Sequence, residues 1–176
     1  MDFTKVVDTI AGFLEGERTR FALAGAFALH AYGLSRATVD IDFVVEAAVR
    51  ERLVAFLESI GYETLHASAG YSNHSHPDPS MGRVDFIYIA GETSRLLFAT
   101  RGVTLRFGRH ELPVPRAEHL VAMKVHAMKN DPGRALQEMA DIRFLLQLPG
   151  LDEEEIQGYF VKAGLQDKYD EIKRSL

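Results

Sequence analysis

Two aspartates one residue apart, Asp40 and Asp42, stand inside the otherwise apolar run Thr38-Val39-Asp40-Ile41-Asp42-Phe43-Val44-Val45. A strand sends alternate side chains to opposite faces. Val39, Ile41, Phe43 and Val45 then share one wholly apolar face, and Thr38, Asp40, Asp42 and Val44 share the other. The rise of a strand sets the two aspartates about 7 Å apart at Cα. Like charges that close repel, and on a half-buried surface the repulsion is costly unless something positive lies over them. A divalent cation held by oxygen ligands, Mg²⁺ or Mn²⁺, meets that need. The alternative is a solvent-facing strand with two hydrated carboxylates.

A third carboxylate, Asp85, interrupts the apolar stretch Arg83-Val84-Asp85-Phe86-Ile87-Tyr88-Ile89, where strand propensity disfavours it. If its strand lies beside the first, three carboxylates gather in one site. They would suit one or two divalent ions, with Asp85 as a metal ligand or as a base toward an attacking hydroxyl. The alternative is an edge-strand carboxylate paired with Arg83. Gly25-Ala26 joins a short apolar stretch to a helical one. Glycine there lets a ligand approach the backbone, and the helix start offers free N–H groups to phosphate; many such turns use glycine for geometry only. Lys124 falls between Leu120 and Met128 on a helical wheel, inside the apolar stripe. Its ammonium either reaches out to solvent or points into a cleft toward anionic phosphates. Asp141 falls on the polar side of its helix with Arg134, Gln137 and Glu138, either as a solvated or salt-bridged carboxylate or as one that orients Lys124. Arg36 either clamps phosphate or sits in the turn after Gly33. Thr38 shares the aspartate face as a supporting hydroxyl. His74 and His76 have ligand-like spacing without nearby partners, which favours a loop or an acceptor contact over zinc.

The elements that must place these residues follow from periodicity. Helical spacing covers about 2–15, 26–32 and 48–60, the last two closed by Gly33 and Gly61. Strands are expected at 21–24, 37–45, 62–66 and 83–90, with weaker candidates at 96–100 and 103–107 and an ambiguous segment at 112–114. Residues 67–80, rich in Ser, Asn, His and Pro, read as loop. From 116 onward the pattern is helical, at about 117–129, 134–148 and 152–163, with a charged tail from 166. Asp131-Pro132 provides an N-cap and a first helical residue between two of these helices, and Asp152 to Glu155 favours a helix start. The expectation is an α+β fold: an α/β core over 1–115 and a helical segment over 116–176 packed on it as one compact unit.

Composition narrows the function. The 176 residues carry a net charge of −5 and no cysteine. The acidic balance argues against nucleic-acid binding by bulk electrostatics, and the missing thiols exclude disulfides, thiolate catalysis and cysteine-bound zinc. The first residues lack the basic start and apolar core of a signal peptide, and no apolar run reaches the length of a membrane span. A cytoplasmic protein without a membrane partner is expected.

The stretch Leu23-Ala24-Gly25-Ala26, then Arg36-Ala37-Thr38-Val39-Asp40-Ile41-Asp42, resembles the DNA polymerase β-type nucleotidyltransferase superfamily. Its pattern is a Gly-Ser or Gly-Gly turn, roughly ten residues, and Asp-x-Asp on the next strand. Within it the chain is most similar to AbiEii-like and minimal nucleotidyltransferases of toxin–antitoxin systems. Those also show Arg-x-Thr-x-Asp-Ile-Asp, then Leu-x-x-x-Lys-x-x-Ala, matched by Leu120, Lys124 and Ala127, and a later Asp-Ile, matched by Asp141-Ile142. The resemblance spans about residues 20–146. It implies a mixed sheet with flanking helices, and Mg²⁺-dependent (or Mn²⁺-dependent) transfer of a nucleoside monophosphate from an NTP to an acceptor hydroxyl on an RNA end or a protein. A cognate toxin or antitoxin is the implied partner. By resemblance Asp40, Asp42 and Asp85 hold metal, Gly25 and Ala26 cradle the triphosphate, and Lys124 contacts it. Ala26 departs from the pattern: it replaces the usual serine or glycine, and the side-chain hydroxyl that serine would offer to phosphate is missing. That departure keeps a second reading open, a binding module that retains the fold without catalysis. A metal-dependent phosphohydrolase is the third.

Overall fold

A computed structural model describes residues 1–100 and 102–176. The chain divides into two units, Met1–Pro115 and Arg116–Leu176. In the first, α1 (Phe3–Gly16) leads to β1 (Phe21–Leu23), α2 (Gly25–Ala31), β2 (Asp40–Glu46) and α3 (Arg50–Ser59). A hairpin follows, β3 (Glu63–Ala67) and β4 (Tyr71–Ser75), then β5 (Arg83–Ile89), α4 (Gly91–Ala99) and a second hairpin of β6 (Thr104–Phe107) and β7 (His110–Pro113). The five-stranded sheet runs in the order β1-β2-β5-β4-β3. Only β2 and β5 are parallel neighbours, and the other pairs are antiparallel. A parallel pair needs a long crossover, which α3 and the β3–β4 hairpin supply.

The apolar face expected for β2 is built from Ile41, Phe43 and Val45, all fully buried, beside Val84 and Phe86 of β5. The Phe43 and Phe86 rings stack at 5.6 Å. Burying each such side chain contributes about 1.5–3 kcal/mol before conformational entropy is counted. α1 buries Val6, Val7, Ile10, Ala11 and Leu14, and Phe13 stacks on Phe56 of α3 at 4.2 Å. Val39 departs from its expected place: it precedes β2 and is 78% exposed, so the apolar stripe begins at Ile41.

Two expected elements differ. Residues 71–75 form β4 inside the sheet, not a loop. The polar composition is accommodated because Ser72 and His74 satisfy each other inside the protein, with His74 Nε2 and Ser72 Oγ 2.7 Å apart and Ser72 Oγ 2.6 Å from Tyr88 Oη. Residues 96–100, a weak strand candidate, belong largely to helix α4, which buries Ser94 and Leu97 one turn apart.

The second unit holds α5 (Ala117–Asn130), α6 (Ala135–Leu145), α7 (Glu153–Ala163) and α8 (Gln166–Arg174). α5 packs on α6 and α7, and α8 packs on the same two. Leu120, Val121, Val125, Ile142, Leu145, Ile156, Phe160 and Ile172 form its core. Asp131 caps the turn at Pro132–Arg134 by accepting from the Gly133 N–H, and Asp152 caps α7 by accepting from Glu155 N–H. No helix among the described residues is long and apolar enough to cross a membrane.

Candidate active site

The β2–β5 register brings the acidic residues together. Asp42 is the Cα partner of Asp85, and Asp40 is the partner of Arg83. Strand alternation places all four side chains on the face opposite Ile41, Phe43 and Phe86. They are half-exposed or exposed, while their strand neighbours are buried. The carboxylates therefore lie on a surface that solvent and ligand can reach, backed by a packed apolar layer. Asn73 of β4 continues the row as the partner of Asp85.

The turn before α2 closes over Asp42. Ala24 N–H donates to Asp42 O at 2.9 Å, fixing the turn against β2. Gly25 has φ +56°, and a Cβ there would lie 1.8 Å from Asp42 Oδ2. Any side chain at residue 25 would occupy the carboxylate's place, and the left-handed backbone adds a steric cost. The close approach that glycine permits is thus used by a carboxylate of the protein itself. Ala26 is buried, at 5% exposure.

Thr38 donates its hydroxyl to Asp40 Oδ1 at 2.5 Å, which fixes the rotamer of that carboxylate. Arg36 and Thr38 line a cleft of about 480 Å³ with Phe3, Ala26, Phe27 and His30. Ser35 Oγ and His30 Nδ1 are 3.0 Å apart at its rim. Asp85 receives a two-pronged ion pair, Arg83 Nε to Oδ1 at 3.1 Å and Nη2 to Oδ2 at 3.3 Å. That hydrogen bond, opposed by partial burial and joined by the charges of Asp85, Asp40 and Asp42, raises the pKa of Arg83.

Oxygen donors on one face suit Mg²⁺ or Mn²⁺. Among the described residues no three acidic or histidine groups converge closely enough to hold an ion as they stand. The donors fit the ion in chemical type but not in their present arrangement, in which Asp85 is turned to Arg83.

Lys124 and Asp141 lie in the helical unit. Lys124 Nζ donates to Asp141 Oδ2 at 2.6 Å and to Glu138 Oε2 at 2.8 Å. Gln137 donates to the other oxygen of Asp141 at 3.0 Å, and Arg134 pairs with Glu138 at 2.8 Å. Lys124, Glu138 and Asp141 are 7%, 2% and 1% exposed. Arg134 and Gln137 keep the polar face expected of α6 exposed, whereas Glu138 and Asp141 are buried, with Lys124 of α5 paired to both. The Lys124 ammonium does not reach out to solvent; it is buried and donates to these two carboxylates.

The structure adds Glu138 and Asn73 to the residues singled out by sequence, and it forms the Arg83–Asp85 pair that the sequence offers as an alternative. Glu138 was visible as one turn from Asp141, but its burial was not. Asn73 lay in the stretch read as loop. His74 and His76 share no ligand: His74 faces Ser72, Thr64 and the Phe86 ring, and His76 Nδ1 accepts from Asp78 N–H at 2.9 Å.

A family model described as the nucleotidyl transferase AbiEii toxin of a type IV toxin–antitoxin system matches residues 12–175. No curated protein matches the chain. Among solved structures, the ANT(2″)-Ia complex with adenylyl-2″-tobramycin aligns over 96% of this chain and 99% of its own, with a TM-score of 0.65 at 15% identity. The lincomycin-bound lincosamide antibiotic adenylyltransferase aligns over 81% and 96%, with 0.58 at 16%. An antigenic nucleotidyltransferase-like protein from Paracoccidioides brasiliensis aligns over 98% and 92%, with 0.57 at 16%. At these identities the likeness is one of fold.

Proposed function

Because this chain belongs to the AbiEii nucleotidyl transferase family, we propose that it transfers a nucleoside monophosphate from an NTP to an acceptor hydroxyl, using Mg²⁺ or Mn²⁺. The observation that carries the reading is the register of Asp42 against Asp85, with Gly25 opened against Asp42. Two carboxylates on neighbouring parallel strands, partly exposed on one face of the sheet, form a site for phosphoryl-type chemistry, which is mostly positioning and charge neutralisation.

In this proposal Asp40, Asp42 and Asp85 hold the metal, which when bound neutralises the phosphates and polarises the reacting one. Thr38 holds Asp40 in one rotamer, so the site is ordered before ligands arrive. Gly25 and the backbone of Ala26 border the triphosphate, and Arg36 and Thr38 meet it along the cleft they line. Asp85 accepts the proton of the acceptor hydroxyl as its oxygen attacks the α-phosphorus and pyrophosphate leaves. Lys124 is assigned to the triphosphate, with Asp141 and Glu138 orienting its ammonium.

The acceptor is an RNA end or a protein within a toxin–antitoxin pair, the role that the family description suggests. The hydroxyls of lincomycin and tobramycin, named with the fold neighbours, join the acceptors to assay. The test is incubation with Mg²⁺ and NTPs labelled at the α-phosphorus, with tRNA, candidate proteins and these antibiotics. Label transfer that Asp42→Ala abolishes is the expected result; no transfer to any acceptor contradicts the proposal. The missing hydroxyl at Ala26 favours a second reading, a module that works by protein contact. Binding of Mg²⁺–ATP that Asp40→Ala abolishes would count against that reading.

A further inference from the structure

Asp85 is the carboxylate that the proposed reaction needs and that the protein itself already engages. Arg83 lies two residues earlier on β5, on the same face, and its guanidinium covers both oxygens of Asp85. Across the parallel pair its Cα partner is Asp40, and the charges of Asp40 and Asp42 also act on the guanidinium. The two partners differ in freedom. The Arg83 side chain is 45% exposed at the entry of its strand, whereas that of Asp85 is 17% exposed. Arg83 can swing into water, while Asp85 stays on the sheet. A half-exposed pair of this kind is weak and reversible.

Resting on the nucleotidyl-transfer reading, we propose that Arg83 is a resident counter-ion, a positioning residue that occupies Asp85 until a divalent cation takes its place. A carboxylate spanned by the guanidinium fork cannot turn both oxygens toward a metal, and the fixed positive charge repels an incoming cation. The exchange gives the site an order. Metal alone binds poorly because Asp85 is engaged, whereas metal carried by a triphosphate brings further ligands and completes the displacement. Arg83 also relieves the like-charge repulsion of the carboxylates before ligand arrives, which keeps the face stable in the free protein.

Charge and fork are separable by substitution. Arg83→Lys keeps the charge and loses the two-pronged geometry; Arg83→Gln loses both. The full chain is titrated with Mn²⁺, followed by electron paramagnetic resonance. Wild-type protein labelled with ¹⁵N is titrated with Mg²⁺, with and without a non-hydrolysable ATP analogue, following the Arg83 Nε–H resonance assigned by its loss in Arg83→Lys. If the fork holds Asp85 nine-tenths of the time, its removal tightens Mn²⁺ binding about tenfold. Both variants are expected to bind Mn²⁺ more tightly than wild type, and the Arg83 resonance moves as Mg²⁺ saturates. An Arg83 resonance unmoved at saturating Mg²⁺, or Mn²⁺ affinity unchanged or weaker in Arg83→Lys, overturns the exchange. If Asp42→Ala still abolishes Mn²⁺ binding in that case, the carboxylate site stands without it. Absence of Mn²⁺ binding in wild type and both variants overturns the exchange and the metal reading together.

Discussion

At the scale of the residue, the site depends on how closely Gly25 and Asp42 approach. A Cβ at residue 25 would lie 1.8 Å from Asp42 Oδ2. Gly25→Ala therefore displaces the carboxylate as well as straining the backbone. Transfer activity is expected to fall on the order of 100-fold, the scale for misplacing a catalytic group by about 1 Å. Stability is expected to fall by about 1–2 kcal/mol from the left-handed conformation. Activity and urea unfolding measured on the same variant check both. Asp42 was legible because a charged residue inside an apolar strand has no reason of packing to be there. The pairing of Arg83 with Asp85 could be listed from sequence only as an alternative; that Arg83 also stands across from Asp40 depends on strand register, which the local pattern does not specify.

At the scale of the element, α5 and α6 are held together by the Lys124–Glu138–Asp141 cluster. Removing one partner of a buried ion pair leaves uncompensated charge and costs about 3–5 kcal/mol. Lys124→Met is expected to lower the free energy of unfolding, measured by urea titration, by that scale. Adding Glu138→Gln and Asp141→Asn should recover part of the loss, because no buried charge then lacks its partner. Strand β4 has its own pH signature. Burial lowers the pKa of His74 below 6.5, opposed by the charges of Asp85 and Glu58. The unfolded chain therefore takes up this proton first as pH falls. The contribution of neutral His74 to stability is complete above about pH 6.5 and declines as pH drops toward its folded value. His74→Gln is expected to flatten the fall of melting temperature between pH 6.5 and 5. Glu46, lowered from 4.5 chiefly by the Arg20 hydrogen bond, loses its contribution only below that window. β4 was not legible as a strand because composition points to a loop wherever Ser, Asn and His crowd together. Here those residues either pair inside the protein or face the open side of the sheet. α4 was partly misread for the opposite reason, since Leu96 to Thr100 is short enough that its apolar pattern suits a strand as well as a helix.

At the scale of the whole molecule, the chain is a nucleotidyl transferase family member with an acidic balance of −5. Its ordered motifs were legible because each combines a residue type with a position on a regular element: glycine at the turn, two aspartates on β2, a third on β5. Ligand binding should be visible globally. A ligand that binds only the folded protein adds about 2.7 kcal/mol of stability at a concentration 100 times its dissociation constant. Mg²⁺–ATP is expected to raise the melting temperature of wild type and leave Asp42→Ala unmoved, as read by calorimetry. The most direct test of the account follows the α-phosphorus of labelled NTPs in the presence of Mg²⁺ and candidate acceptors, while counting pyrophosphate. Nucleotidyl transfer predicts acceptor labelling with one pyrophosphate released per label, both lost in Asp42→Ala. Release of inorganic phosphate without labelling, or labelling that persists in Asp42→Ala, would contradict it.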